Sequence, residues 1–280
     1  MDQTLSQSTQ TRHVIVPRSG WSLPNIVELY QYRELLWVLA ARDIKVRYKQ
    51  TVLGVLWALI QPVSTMIIFS IIFGRFAKID SGDIPYPIFV YAGLLPWTFF
   101  SSSLTNTSNA LLSSGYILSK VYFPRFILPM ASIGAALVDF FISMSLLFVL
   151  MIYYEVSVTA NIIMAPLILL GTIFTAVGVG GLLSGIAVRY RDFRYVIPFA
   201  VQFWMYISPV VYPPTLIPEA YRWLLYINPM TGFIDGFRSA FLGEAFNWSS
   251  LGISATISLL FFIAGAFVFS RFEKQVADII

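Results

Sequence analysis

The chain has 280 residues, of which 58% are hydrophobic and only 11% charged, with a formal net charge of +4 and a mean hydropathy of +0.76. A soluble domain carries about a quarter charged residues, and here the apolar residues come in runs of about twenty; the composition therefore excludes a soluble protein and predicts an all-α polytopic membrane protein. The absence of cysteine removes disulfides, thiolate metal sites and cysteine nucleophiles, and the single histidine, His13, lies in a polar tail and leaves no basis for a metal site or a Ser-His pair.

Residues 1–24 are rich in Gln, Ser and Thr and read as a disordered tail without the apolar core of a cleaved export signal. Asn25, with Glu28 three residues on, caps a predicted helix whose apolar positions are Ile26, Leu29, Tyr30, Leu36, Trp37, Ala40 and Ile44. Such an amphipathic helix lies in the membrane interface rather than crossing it. It runs into a basic collar of Arg42, Lys45, Arg47 and Lys49, directly before the apolar run that starts at Leu53-Gly54. Two readings of the collar are open: a topology anchor, or a docking point for an anionic headgroup.

The first predicted span is 54–73; at about 1.5 Å per residue its length matches a hydrocarbon core of about 30 Å. Gln61-Pro62 inside it predicts a kink whose freed carbonyl needs a partner in the bundle. The second span, 88–112, carries Ser101, Ser102, Ser103, Thr105, Asn106, Thr107, Ser108 and Asn109 in its second half. These face other helices or a polar pathway, not lipid. A short amphipathic piece, 114–129, follows with Lys120 and Arg125. The third span, 126–154, holds Asp139 near its middle, where a carboxylate must be protonated, paired or beside water. With no basic partner on another span, a structural hydrogen bond is favoured over a relay role.

The fourth span, 162–188, contains Gly181-x-x-x-Gly185, which permits close helix contact. The basic turn Arg189-Tyr-Arg191-Asp192 and a fifth span, 195–212, come next. Residues 213–249 hold two short apolar pieces, 219–227 and 231–242, about Asn228-Pro229 and read as a re-entrant helical hairpin. In the second piece Phe233, Phe237 and Phe241 line one face, and Asp235 and Arg238 are spaced to pair at i,i+3. A sixth span, 251–270, ends the chain. Most of the 18 Lys and Arg fall before span one, after spans two and four, and in the tail, which predicts cytoplasmic termini and an outward-facing hairpin.

No phosphate loop, zinc-protease motif or nucleophile elbow is present, and the acids are scattered, so intrinsic catalysis is not expected. Four stretches carry a likeness: ARDIKVRYKQTVLGVLWALIQP (41–62), LSKVYFPRFILP (118–129), RYRDF (189–193) and NPMTGFIDGFRSAFLG (228–243). Together they resemble the transmembrane subunit of type-2 ABC exporters, most similar to those exporting O-antigen, capsular polysaccharide or teichoic acid. The resemblance covers about residues 25–275 and implies a single transmembrane permease domain over 25–280 in the bacterial inner membrane. It implies a homodimer working with two separate ATP-binding cassette subunits, which hold the ATP and Mg; no cofactor is expected on this chain, and no nucleic acid. The cargo it implies is a lipid-linked glycan.

By the same resemblance, Glu34, the turn holding Gly115, Ser119, Lys120 and Phe123, and the turn holding Arg189, Arg191 and Asp192 would contact the ATPase. Arg42, Lys45, Arg47, Lys49, Leu53 and Gly54 would meet the glycan's anionic headgroup. Channel-lining candidates are Trp57, Phe69, Phe73, Tyr91, Trp97, Phe100, Asn106, Asn109, Trp204 and Tyr206, because aromatic faces pack on sugar C–H surfaces. The glycine-rich fourth span and the first and fifth spans are plausible contributors to a dimer contact. The rival readings are export of a small lipid or drug, and ion-coupled secondary transport through Asp139.

Overall fold

The structure is a computed structural model that describes residues 26–49, 54–118, 123–190 and 192–279; the tail, Leu53, Ser119, Lys120 and Arg191 lie outside the described residues. Among these there is no strand, and five helices are long and apolar enough to cross a membrane: 56–76, 86–113, 127–153, 160–189 and 248–272. The all-helical expectation holds. Helices α1 (Ile26–Gln31) and α2 (Arg33–Tyr48) precede α3 (Leu56–Phe69), which runs on as a π-helical turn through Phe76. α4 is Tyr86–Ser113, α5 Gly115–Leu118, α6 Ile127–Ala131 and α7 Ile133–Tyr153. Then come α8 (Ala165–Arg189), α9 (Phe193–Ile207), α10 (Glu219–Ile227), α11 (Pro229–Leu242) and α12 (Trp248–Ile279).

The expected fifth span is shorter than its sequence signal. α9 has 15 residues, too few to cross about 30 Å of hydrocarbon unaided, and it stops at Ser208-Pro209, where Ser208 is extended and proline removes the next backbone donor. Ser208, Pro209, Val210 and Val211 continue it as a buried irregular segment. The hairpin arms fall where the sequence puts them: α10 ends at Asn228, whose side chain accepts the Met230 N–H at 3.0 Å and so caps α11. α11 is buried along almost its whole length.

α4 is the central helix. Its first half is apolar all round, as a helix enclosed on every side must be, and it packs against α3, α7, α8 and α11. The glycines of α8 serve contacts inside the chain: Gly178 and Gly181 lie against Gly265 of α12, Gly185 against the Phe272 ring and Gly180 against Thr107 of α4. The surface those glycines create is filled by α12 and α4. Between membrane helices, such close packing and hydrogen bonds replace the hydrophobic drive that lipid cannot provide. Thr175 Oγ1 accordingly bonds Ser258 Oγ at 3.0 Å, and Ser258 Oγ donates to the Gly171 carbonyl at 2.8 Å.

Two carbonyl repairs hold the broken segments. Pro62 cannot donate to the Ala58 carbonyl, and Ser143 Oγ of α7 donates to it instead, at 2.8 Å. Arg238 does not pair with Asp235 as the spacing suggested. Fully buried, its guanidinium donates to the carbonyls of Phe89, Pro209 and Val210 at 3.2, 2.8 and 2.5 Å. It also lies 3.8 Å over the Phe89 ring. The unpaired carbonyls of the break after α9 outcompete a carboxylate one turn away on the same helix. Gly93 is required beside it, since a Cβ there would collide with the guanidinium.

α2 differs from the single-faced amphipathic helix predicted. Leu39 and Ala40 are buried against the bundle, Ala40 beside Gly134, while Trp37, Val38 and Val46 are exposed. Apolar side chains are needed on both sides because one face packs on α6 and α7 and the other faces outward. Replacing Arg238 by Met leaves the buried Pro209 and Val210 carbonyls without their donor and is expected to cost about 3 kcal/mol, read as a fall in unfolding temperature in detergent; Ser143→Ala, which frees one carbonyl, costs about 1 kcal/mol.

Candidate functional site

A cavity of about 750 Å³ lies among α2, α3, α4, α7 and α9. On α3 the lining positions Trp57, Ala58, Gln61, Pro62, Thr65, Ile68 and Phe69 recur at helical spacing, so one stripe of the helix faces inward, with Gly54 in the turn before it. α4 contributes Leu94, Trp97, Thr98, Ser101, Ser102, Thr105 and Asn106; α7 contributes Ala136, Asp139, Phe140 and Ser143; α9 contributes Gln202, Met205 and Tyr206. The rim residues Trp57 and Tyr206 are 56% and 57% exposed.

The polar run of α4 divides by face. Ser101, Ser102, Thr105 and Asn106 meet the cavity, whereas Ser103, Thr107 and Ser108 are fully buried. Several of these groups satisfy themselves locally: Thr105 Oγ1 donates to the Ser101 carbonyl at 2.8 Å and Ser108 Oγ to the Leu104 carbonyl at 2.7 Å. Both readings of the run therefore apply, each to its own side of the helix.

The charged groups on the cavity wall are Arg47 and Asp139. An Arg47 Nη of α2 lies 2.5 Å from Asp139 Oδ2, and the Tyr48 hydroxyl donates to Asp139 Oδ1. Among the described residues Asp139 has no basic partner on another span, as expected, but it has one at the end of α2, where proximity is invisible in sequence. Burial and the adjacent carboxylate push the Tyr48 hydroxyl well above the usual phenol range, so it remains a donor at neutral pH.

The basic collar is split by the helix. Arg47 turns into the cavity, while Arg42, Lys45 and Lys49 line an outward-facing hollow with Trp37, Val38, Ala41 and Val46; Arg42 Nη2 is held 2.8 Å from Asp43. Gly54 lies on the cavity with φ +44°, a backbone region that favours glycine.

Of the channel-lining candidates, Trp57, Phe69, Trp97, Asn106 and Tyr206 line the cavity. The others are placed elsewhere. Tyr91 and Phe100 are fully buried, with the Tyr91 hydroxyl donating to the Ser143 carbonyl at 2.9 Å. Phe73 packs against the core; Asn109 donates to the Thr105 carbonyl at 2.9 Å; and Trp204 Nε1 donates to Asn228 Oδ1 at 3.0 Å. Aromatic identity alone does not report the face of a helix. Gln61, Thr65, Thr98 and Gln202 were missed as lining residues, although the stripe through Trp57 and Phe69 on α3 contains the first two.

Among the proposed ATPase contacts, Glu34 is exposed in the first turn of α2 and Arg189 is exposed at the end of α8. Asp192 is exposed at the start of α9, and Gly115 opens the short α5. Phe123 is different: it is 3% exposed and belongs to the core, so it anchors its turn and offers no docking surface. Its neighbouring prolines and apolar residues signal burial as readily as contact. Among the described residues, no cluster of His, Cys, Asp or Glu could hold a metal ion.

The cavity is walled by indole rings, hydroxyls and amides, with one charge pair. The profile of the ABC-2 type transporter family matches residues 34–242. The chain belongs to that family. The transporter is 26% identical over 248 residues to the O-antigen export system permease protein RfbA of Klebsiella pneumoniae, covering 88% of this chain and 95% of the relative. It is 29% identical to RfbA of Myxococcus xanthus, over 90% of this chain and 97% of that one. The polysialic acid transport protein KpsM of Escherichia coli is 25% identical over 81% of the transporter and 87% of its own length.

The transporter has no native cysteine, so a single introduced thiol reports its own surroundings. Ser102→Cys and Asn106→Cys are expected to react with a small charged methanethiosulfonate about tenfold faster than Ser103→Cys and Thr107→Cys, as exposure dictates, measured by mass shift.

Proposed function

We propose that this chain is the membrane permease subunit of an ABC exporter that carries a polysaccharide, of O-antigen or capsular type, across the bacterial inner membrane. The observation that carries the reading is the character of the cavity. Sugar rings offer C–H faces and many hydroxyls, and the wall answers with the exposed Trp57 for the faces and with Ser101, Ser102, Thr105, Asn106, Gln61 and Gln202 for the hydroxyls. A small apolar drug or lipid would want fewer polar side chains. The relatives named for O-antigen and polysialic acid transport point the same way.

In this reading two copies meet along α3 and α9, whose outward faces carry Ile60, Ile67, Phe199 and Phe203, and the glycan passes between them. Both termini lie in the cytoplasm. A separate ATP-binding cassette subunit on each copy supplies hydrolysis with its own ATP and Mg. Exposed Glu34, Arg189 and Asp192 are contacts for it, with the short α5, which carries the exposed Tyr116, as the coupling element. Short polar elements held on rigid helix ends suit transmission of a domain closure. Arg47 at the cavity wall and the outward Arg42, Lys45 and Lys49 would meet the anionic headgroup of the lipid-linked cargo.

Deleting this gene in its host is expected to leave glycan inside the cell, and the intact gene to restore surface glycan; normal surface glycan after deletion would refute the reading. In the purified complex with its ATPase, Glu34→Lys reverses an exposed charge outside the bundle and is expected to lower glycan-stimulated hydrolysis about fivefold, with the chain's thermal stability unchanged.

A further inference from the structure

The cavity described here has one charge pair on its wall. A carboxylate inside a membrane protein is costly, and a hydrogen bond to Tyr48 alone could be supplied by a neutral side chain at position 139. The pair is also not sealed: the side chains of Arg47 and Asp139 are 42% and 17% exposed. An ion pair so open to water is weak, whereas a phosphate or carboxylate on a ligand can take both forks of a guanidinium at once. Tyr48 bonds the other carboxylate oxygen, so Asp139 keeps one donor when Arg47 leaves.

We propose that Arg47 is an exchangeable oxyanion-binding residue, held in reserve by Asp139 and handed to an anionic group on the cargo when that cargo enters between α2 and α3. Asp139 and Tyr48 are positioning residues: they set where the guanidinium waits and how firmly. The exchange also removes one of the two ties between the end of α2 and α7, leaving the Tyr48 bond to Asp139, so charge recognition loosens the end of α2 next to the glycine turn at Gly54. The inference rests on the transport reading of the same cavity. It adds a competition between Asp139 and the cargo's oxyanion, a role distinct from proton coupling.

The test uses the full chain in phosphatidylcholine nanodiscs, titrated with farnesyl pyrophosphate as the charged probe and farnesol as the neutral one. Binding is read by tryptophan fluorescence, since Trp57 and Trp97 line the cavity. Asp139→Asn removes the competitor and is expected to bind the charged probe about fivefold more tightly than the wild type. Arg47→Gln loses most of the charge-dependent part of binding, leaving only what the outward Arg42, Lys45 and Lys49 supply, and adding Asp139→Asn to it changes nothing further. Farnesol binds all four proteins alike, which also reports that each variant is folded.

Equal or weaker binding by Asp139→Asn would overturn the proposal, as would an Asp139 effect that persists without Arg47. Loss of probe binding in phosphatidylglycerol discs would assign Arg47 to membrane lipid and overturn its cargo role. A wild type that ignores the probe overturns the oxyanion site but leaves the export reading intact, because that reading is judged by surface glycan in cells.

Discussion

In hydrocarbon, every backbone carbonyl that loses its helical partner must be given another, and this bundle is arranged around that constraint. Pro62 and the break after Ile207 each strand carbonyls in the membrane. Ser143 reaches from α7 to the first, and Arg238 reaches from α11 to the second while also taking the Phe89 carbonyl of α4. The two repairs tie α3 to α7, and α4, the post-α9 segment and α11 to one another. They permit the interruptions that bend the walls around the cavity. A bundle of unbroken helices would have no need of them.

The same economy governs polarity. α4 runs through the middle of the molecule with a hydroxyl-rich second half, and helix geometry sends these groups to two destinations. Those toward α8 are sealed by small residues such as Gly180 and by bonds to their own backbone. Those toward α3 and α7 meet the cavity. The aromatic residues divide likewise. Phe140, Phe237, Phe241 and Phe148 pack ring against ring through the core with centroids 4.6 to 5.9 Å apart, the Phe140–Phe237 and Phe148–Phe241 contacts edge-on, while Trp57, 56% exposed, remains available to a ligand. Rigid packing thus backs a wall whose surface is neutral and adaptable, which suits a long, repetitive cargo better than a single recognised molecule.

Charge is confined to places where it is paid for. Arg238 is matched to carbonyls in the interior, Arg47 and Asp139 are matched to each other at the cavity wall, and the remaining collar cations face outward beside Trp37. Membership of the ABC-2 type transporter family is consistent with this distribution, because a permease needs a passage with few deep electrostatic traps.

Sequence alone determined the helical membrane class, the positions of five long apolar helices and the two short helices about Asn228-Pro229. These follow from run length, charge and proline, which act locally and can be read in one dimension. It also signalled that Pro62 needed a partner, without naming Ser143. Only the tertiary structure decided which half of a polar or aromatic stretch meets the cavity, that the α8 glycines serve α12, and that Phe123 is core. Only it decided that Arg238 binds carbonyls in place of Asp235 and that Asp139 meets Arg47, 92 positions earlier in the chain. The physical reason is the same in each case: spacing fixes which residues share a face, but the partner of a face is fixed by packing between segments distant in sequence.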